Sequence, residues 1–481
     1  MLELTRVESL ECGVSAKVVE AFEQRLKEQK VRMHGYMLLK GKQICAEKYW
    51  APYDKDTNHR MYSITKSYVA LAIGLLVKEG KVTLQDKICD YFPEKLPEEG
   101  AHPWCEEMTI EDMLTMRTCY SSTTFKRYDG EDWTESFFRV APDHVAGTVF
   151  SYDTSATHTL AALVEKLTGK ELLVYLQEKM LDKLGCSKGA YIMKDPVGVS
   201  QGGSGLMCTM EDVARVAYLC NHMGQLDREE LIPRDYMEAA TSLQVPTDTH
   251  VPLDEKLGYG YYIWMGRHNS FVMYGMGGQL AICFPEADVV MVTMADVIGS
   301  PVGLHSIYDA FYETLYPVVA GENVSASDVV RGEDVTLVEP LDDNSDIKTD
   351  ALNGNEKRKI RTGVEKYTFY PNNQMNWENI TFNWEENTVE FQMPEGNFTF
   401  QFAYEQPKKQ ESFCNSGYAC ECQGQFKMGH FILECYVVDE ELGHVTMDFA
   451  WKDDRFSVRM ISTNEPFFKY FKGFGSGIKS S

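Results

Sequence analysis

The hydrophobic pattern changes period partway along the chain. Up to about residue 320, helical and strand-like patterns are mixed; from about residue 359 onward, strand-like alternation dominates. Residues 15–29 place apolar side chains at helical spacing, with Ser15 positioned to cap the helix. Residues 35–39 and 43–49 predict a hairpin across Lys40-Gly41-Lys42. The strongest apolar run, residues 68–77, predicts a buried helix, which Lys78-Glu79-Gly80 closes with a basic residue and a C-terminal glycine. A second helix is predicted over 156–167, closed by Gly169. Residues 270–274, 280–284 and 289–292 predict strands, with a turn at residues 285–288, and a closing helix follows near 304–315. Between the two groups of strands, from about Leu71 to Met237, the pattern is mainly helical. The expected fold of residues 1–320 is therefore α+β, an antiparallel sheet flanked by helices with a mainly helical insert.

Residues 321–358 are polar and poor in aromatics, with Asp342-Asp343-Asn344-Ser345-Asp346 as the extreme, and predict a linker. Residues 359–481 then alternate apolar and polar positions in short runs such as 379–384, 397–402 and 430–436. Turn residues separate the runs, so a smaller all-β domain is expected, either a sandwich or an up-and-down barrel.

The buried helix over 68–77 begins with chemistry. Ser63-Ile64-Thr65-Lys66 stands directly before it. Positions three apart share a helix face, so Ser63 and Lys66 point the same way. A serine hydroxyl is a weak nucleophile until a base takes its proton. A lysine serves as that base only when burial, or the positive end of a helix, lowers its pKa. Alone, Ser-x-x-Lys is an ordinary helix start. Two more segments follow it in order: Tyr152-Asp153-Thr154 at a strand-to-helix junction, and Gly275-Met276-Gly277-Gly278-Gln279 between two apolar runs. Glycines there let the backbone approach a ligand closely.

These three segments resemble the serine β-lactamase and penicillin-binding-protein superfamily, nearest in style to class C β-lactamases, D-alanyl-D-alanine carboxypeptidases and related esterases. The resemblance covers roughly residues 15 to 317 and includes Gly202-Gly203-Ser204-Gly205 and Gly258-Tyr259-Gly260-Tyr261. It implies a catalytic set of Ser63, Lys66 and Tyr152. It implies further an acyl-enzyme on Ser63, with either Lys66 or Tyr152 as the base. The N–H groups of Ser63 and Gln279 are the implied oxyanion donors, and Thr154, Met276, Gly277 and Gly278 the implied substrate contacts. The departures from the family pattern narrow the substrate. Thr154 replaces the family's asparagine and cannot offer a forked amide. Met276 stands where relatives place a cation, unless the alignment shifts by one to Gly275; a thioether cannot bind a carboxylate. Residues 115–119, Thr-Met-Arg-Thr-Cys, replace a His-Thr-Ser-Gly turn. The expected activity is hydrolysis of a small-molecule ester or amide. A catalytically inactive binding protein and a true β-lactamase or peptidase are the alternatives. The aromatic set Tyr152, Tyr259, Tyr261 and Trp264 suggests a pocket with less charge than a β-lactamase has.

Composition bounds the partners. The net charge is −25, with 47 basic against 72 acidic residues, and the pI is about 4.9. Nucleic acid and anionic membranes are therefore not expected as partners. The start of the chain lacks the pattern of a secretory signal, and no apolar run has the length of a membrane span. The thirteen scattered cysteines are accordingly expected to be reduced thiols in a cytoplasmic protein. Cys414, Cys420, Cys422 and Cys435, with His430, match no zinc spacing. No phosphate-binding glycine loop precedes a helix, so no cofactor and no metal are expected. For the C-terminal domain the readings are shaping of the site entrance, pairing of two chains in a homodimer, or passive support.

Overall fold

The computed structural model describes residues 1–250, 253–298, 303–320, 361–371, 373–405, 407–463 and 466–480. The chain divides into two compact units, residues 1–329 and 330–481. The predicted linker, 321–358, lies outside the described residues.

The first unit is built on a seven-stranded sheet. Its strands are β1 (Thr5–Arg6), β2 (Met33–Lys40), β3 (Gln43–Tyr49), β4 (Trp264–Met265), β5 (Phe271–Gly275), β6 (Gln279–Phe284) and β7 (Val289–Ala295). Their order is β1-β3-β2-β7-β6-β5-β4. The predicted hairpin β2–β3 pairs Gly35 with Tyr49 and Lys40 with Gln43. Antiparallel pairing of β2 with β7 then joins this N-terminal hairpin to the late strands, Leu39 opposite Val290. Every residue of β6 and β7 is buried. A strand covered on both faces reads as a continuous apolar run, which is how 280–284 and 289–292 appear in the sequence.

Helix α1 (Ala16–Glu28) buries Val18, Phe22 and Leu26, one stripe at four-residue spacing. Ser15 takes the capping position, but its hydroxyl makes no capping bond. Helix α2 (Ile64–Lys78) is different: its thirteen residues from Ile64 to Leu76 are all buried. It therefore shows no one-sided periodicity, only a solid apolar run. Gly74 allows Tyr236 and Ile232 to pack against its backbone; a Cβ there would lie 2.7 Å from the Tyr236 ring. Helix α3 (Thr154–Thr168) ends at Gly169 with φ +66°, as the glycine predicts. Helix α4 (Met210–Asn221) begins with a capping box between Thr209 and Asp212. The predicted closing helix is α5 (His305–Glu313).

The second unit is one antiparallel sheet of ten strands. They are β8 (Val364–Phe369), β9 (Asn379–Asn383), β10 (Thr388–Met393), β11 (Gly396–Gln401), β12 (Lys408–Gln410), β13 (Cys420–Lys427), β14 (His430–Val438), β15 (Leu442–Lys452), β16 (Arg455–Ser462) and β17 (Gly473–Lys479). The order is β11-β10-β9-β8-β17-β16-β15-β14-β13-β12. The two ends of this sheet meet. Ala403, just past β11, bridges Gln423 of β13, the Gly424 N–H donates to the Ala403 carbonyl at 2.9 Å, and the Gln410 side chain bonds Gln401 N and Thr399 O. Of the two architectures expected, the unit is barrel-like. Its interior is filled by aromatics, among them Phe382, Phe391, Phe400, Phe431 and Phe449, each at most 1% exposed. Cys420, Cys422 and Cys435 are interior positions of these strands, and Cys422 lies opposite Cys435. Among the described residues, no three His, Cys, Asp or Glu side chains are arranged to hold a metal ion.

One expectation is corrected. Cys12 and Cys45 form a disulfide, while the other eleven cysteines are free. The pairing is not local: 33 residues separate the two, and the packing of the 3-10 turn Ser9–Cys12 on β3 brings them together. Thiol titration of the unfolded, unreduced protein should count eleven thiols per chain, rising to thirteen after reduction. Thirteen without reduction would show that the bond does not form.

Candidate active site

Ser63 sits on a tight elbow. The short strand His59–Arg60 pairs with Leu206–Cys208, and the Met61 N–H donates to Leu206 O at 2.9 Å. Tyr62 then takes a positive φ of +45° before Ser63 caps α2. An L-residue in that region is strained by about 1–3 kcal/mol and persists only where its surroundings hold it. Here Thr65 holds it, donating to the Tyr62 carbonyl from both its N–H (3.0 Å) and its hydroxyl (2.6 Å). The same hydroxyl accepts from Leu206 N at 3.1 Å, so one side chain ties elbow, helix and strand. Beneath the elbow, His34 Nδ1 and His59 Nε2 lie 2.7 Å apart. Burial pushes His59 down to about 4, so it is neutral at ordinary pH. Ser63 itself remains partly open to solvent.

Lys66, one turn along α2, is 1% exposed. Its Nζ donates to Ser63 Oγ at 3.1 Å and to the Gly203 carbonyl at 2.6 Å, and lies 5.1 Å from the centre of the Tyr152 ring. Burial lowers its pKa to about 7, against a smaller upward pull from the charge of Asp153. Burial raises the Tyr152 phenol above its ordinary value, partly offset by a hydrogen bond to Ser63. Ser63, Lys66 and Tyr152 thus meet at one point from two helix starts.

The segments around this point hold it in place. Asp153, fully buried, caps α3 by accepting from Ser155 N at 2.9 Å, and Thr118 Oγ1 donates to its other oxygen at 3.3 Å. Burial raises Asp153 to about 6. Residues 115–119, which depart from the family turn, support this segment directly: Ser151 N donates to Met116 O at 2.8 Å and Asp153 N approaches Met116 Sδ at 3.3 Å. The half-buried Thr154 faces the loop that supplies the lysine's acceptor. A Cβ on Gly203 would lie 2.2 Å from Thr154 Cγ2 and 3.1 Å from Thr154 O. Only a glycine lets that loop come close enough for its carbonyl to reach Lys66.

The third segment arrives on β5. Gly275 packs directly on the elbow: a Cβ there would meet the Met61 carbonyl at 2.3 Å. Gly275, the alternative in the alignment, is thus the residue that touches the nucleophile's elbow. Met276, Gly277 and Gly278 form the following turn, with φ of +89° and +107° at the two glycines, and Met276 is 43% exposed. The Gln279 side chain, expected only to accompany its N–H, clamps this turn. Its Nε2 donates to Met276 O (2.6 Å) and Ala295 O (3.1 Å), and its Oε1 accepts from Ala295 N (3.0 Å).

An aromatic wall backs Tyr152. Trp264 stacks along it at 5.9 Å, and Tyr259 meets Trp264 edge-on at 4.8 Å. Phe150 joins the same group. Tyr261 does not: it packs on Tyr236 and donates to Glu111 at 2.6 Å. Sequence reasoning quoted Gly203 and Asp153 without giving either a role, and did not reach Glu255. The last accepts from Tyr274 at 3.2 Å, and its charge adds to the upward shift of Tyr152.

A serine and a buried lysine at the start of a core helix, a tyrosine beside both and a glycine-ended strand against the elbow define a serine β-lactamase/transpeptidase-like fold. The chain belongs to the Beta-lactamase family, whose model matches residues 18–301. It is similar to a 6-aminohexanoate-dimer hydrolase of Paenarthrobacter ureafaciens, 25% identical over 302 residues, covering 57% of this chain and 74% of that protein. It also resembles esterase EstB of Burkholderia gladioli, 26% identical over 212 residues, 38% of this chain and 53% of the esterase. Among solved structures, a penicillin-binding protein homologue from Caulobacter crescentus superposes with a TM-score of 0.51 at 17% identity, covering 64% of this chain and 98% of that one.

The Gly203 packing generates a direct expectation. Gly203→Ala should push the loop off Thr154 and lengthen the bond from Lys66 to residue 203. Overpacking of this kind costs roughly 1–3 kcal/mol of stability. Melting curves should show that loss, and labelling of Ser63 by a fluorophosphonate should slow at least tenfold. Unchanged labelling would show that the carbonyl does not position Lys66.

Proposed function

We propose that this protein is a serine hydrolase that cleaves an ester or amide of a small molecule through an acyl-enzyme on Ser63. The observation that carries the proposal is the buried Lys66 amine, bonded to Ser63 Oγ and lowered to about 7. An amine at that value has a substantial neutral fraction near pH 7, and the neutral form can accept the serine proton. The shifts of the two candidate bases separate their roles. Burial disfavours the Tyr152 phenolate and favours the neutral Lys66 amine. Lys66 therefore takes the proton from Ser63, while the neutral Tyr152 phenol orients the hydroxyl, gives its proton to the leaving group and regains one from the Lys66 ammonium, which restores the neutral amine. The N–H groups of Ser63 and Gln279 serve the developing oxyanion. Thr154, Met276, Gly277 and Gly278 line the substrate. Water, activated by the same amine, then releases the acid. The hydrolase and esterase names carried by relatives support this reading. Met276 and Thr154, in place of the family's cation and amide, speak against β-lactam hydrolysis. Eleven free thiols support a cytoplasmic setting.

Incubation with a fluorophosphonate, an activated ester and a chromogenic β-lactam tests the proposal beside Ser63→Ala. Labelling and ester turnover are expected in the intact protein, lost in the variant, with little β-lactam turnover. An intact protein that neither labels nor turns over ester would sink the hydrolase reading.

The pH dependence follows from Lys66. Below about pH 7 its amine is protonated, so acylation should rise about tenfold per pH unit there and level off above. A stopped-flow profile of acylation that is flat from pH 5 to 9 would exclude Lys66 as the base.

A further inference from the structure

A partly open carboxylate lies against the wall that carries Tyr152. Glu255 Oε1 accepts from the Tyr274 hydroxyl at 3.2 Å, and Oε2 faces His250 Nδ1 at 3.1 Å. Tyr274 belongs to β5 and directly precedes Gly275, the residue packed on the Ser63 elbow. Trp264 connects the two sides, 5.9 Å from Tyr152, 6.0 Å from Tyr274 and 5.5 Å from His250. The negative charge of Glu255 acts on the phenols of both Tyr152 and Tyr274 and adds to their upward shifts. The carboxylate is thus bonded to the strand whose next residue packs on the nucleophile's elbow, and the rings of Tyr152, Trp264 and Tyr274 pack in one cluster.

The neighbouring carboxylate shows what a structural acid looks like in this protein. Asp254 is 7% exposed and is consumed by Arg267, at 2.7 and 3.0 Å, and by His305, at 2.8 Å. Glu255 keeps 21% of its side-chain surface open, and the His250 ring faces it at 3.1 Å. An ionised carboxylate offers about four acceptor positions; the bonds to Tyr274 and His250 occupy two. Lys66 is already committed to Ser63 and Gly203. Met276, 43% exposed on the turn after Gly275, offers an anionic substrate no ionic partner.

We propose that Glu255, with Tyr274 beside it, binds a cationic end of the substrate, a primary or quaternary ammonium group, and so selects amine-bearing esters or amides. This rests on the reading of Ser63 as a hydrolytic nucleophile, and it deepens that reading to a substrate class. A carboxylate partly withdrawn from water attracts a cation more strongly than an exposed one does. The half-buried Tyr274 ring beside the carboxylate adds cation–π attraction. The same arrangement repels a carboxylate-ended substrate.

The test has a binding arm and a kinetic arm. In Ser63→Ala protein, choline and its neutral carbon isostere 3,3-dimethylbutanol are titrated by calorimetry. Choline is expected to bind at least tenfold more tightly, with the difference lost in Ser63→Ala/Glu255→Gln. Intact protein is then given nitrophenyl esters whose acyl chains end in a trimethylammonium, a tert-butyl or a carboxylate group. The expected order of kcat/KM is cationic, neutral, anionic, and Glu255→Gln should reduce the cationic-to-neutral ratio at least tenfold. Equal binding of choline and its isostere to Ser63→Ala overturns the proposal, without depending on how the Glu255 variant folds. Retention of the charge preference in Glu255→Gln overturns it as well. If no ester is turned over, the hydrolase reading fails while the binding arm still decides the role of Glu255.

Discussion

Burial of the Lys66 amine is the constraint around which the first unit is arranged. A charged amine withdrawn from water costs several kcal/mol unless it is paired or gives up its proton. The fold supplies two neutral acceptors, Ser63 Oγ and the Gly203 carbonyl, and leaves Asp153 as a charge felt nearby rather than a bonded partner. The amine therefore titrates near neutrality instead of remaining fixed as a cation. The arrangement reaches across the sequence: the carbonyl comes from a position 137 residues beyond the lysine, and its approach requires a glycine. The elbow at Tyr62, the cap at Asp153 and the loop at Gly203 are separate devices that serve one bond length.

The features readable in the sequence were those with a local signature. The solid apolar run of α2, the stripe of Val18, Phe22 and Leu26, and the hairpin across Lys40-Gly41-Lys42 each express burial through spacing alone. The alternation from residue 359 onward gave the all-β unit, but not its closure, because the bridge between Ala403 and Gln423 depends on how the ends of the sheet come round. Ser63, Lys66 and Tyr152 were legible because their types and order are distinctive. Their supports were not. Gly203 is one glycine among thirty-six, and the reason for it is the position of Thr154 Cγ2. Tyr261 and Tyr259 are indistinguishable by type, yet one packs on Tyr236 and the other on Trp264. Cys12 and Cys45 meet through the packing of a turn on a strand, which compartment arguments about cysteine cannot anticipate.

Gln279 shows how a single position carries two duties. Its strand places its main chain in the third segment, while its amide satisfies three backbone groups of the turn and of β7. The two Ala295 groups are buried, and leaving them unpaired would cost about 1–3 kcal/mol apiece. The glutamine is thus explained by the turn before any substrate is considered.

Both sheets end in ways that discourage unwanted growth. The outer strands of the first sheet, Thr5–Arg6 and Trp264–Met265, are two residues each, too short to template a neighbour. The second sheet, in which a long row of aromatic-rich strands would otherwise present a free margin, turns its last strands back on its first. A chain with so much β-forming sequence would be prone to stack into fibrils if those margins were open. Closure removes the sheet's open margins as templates for pairing with another chain.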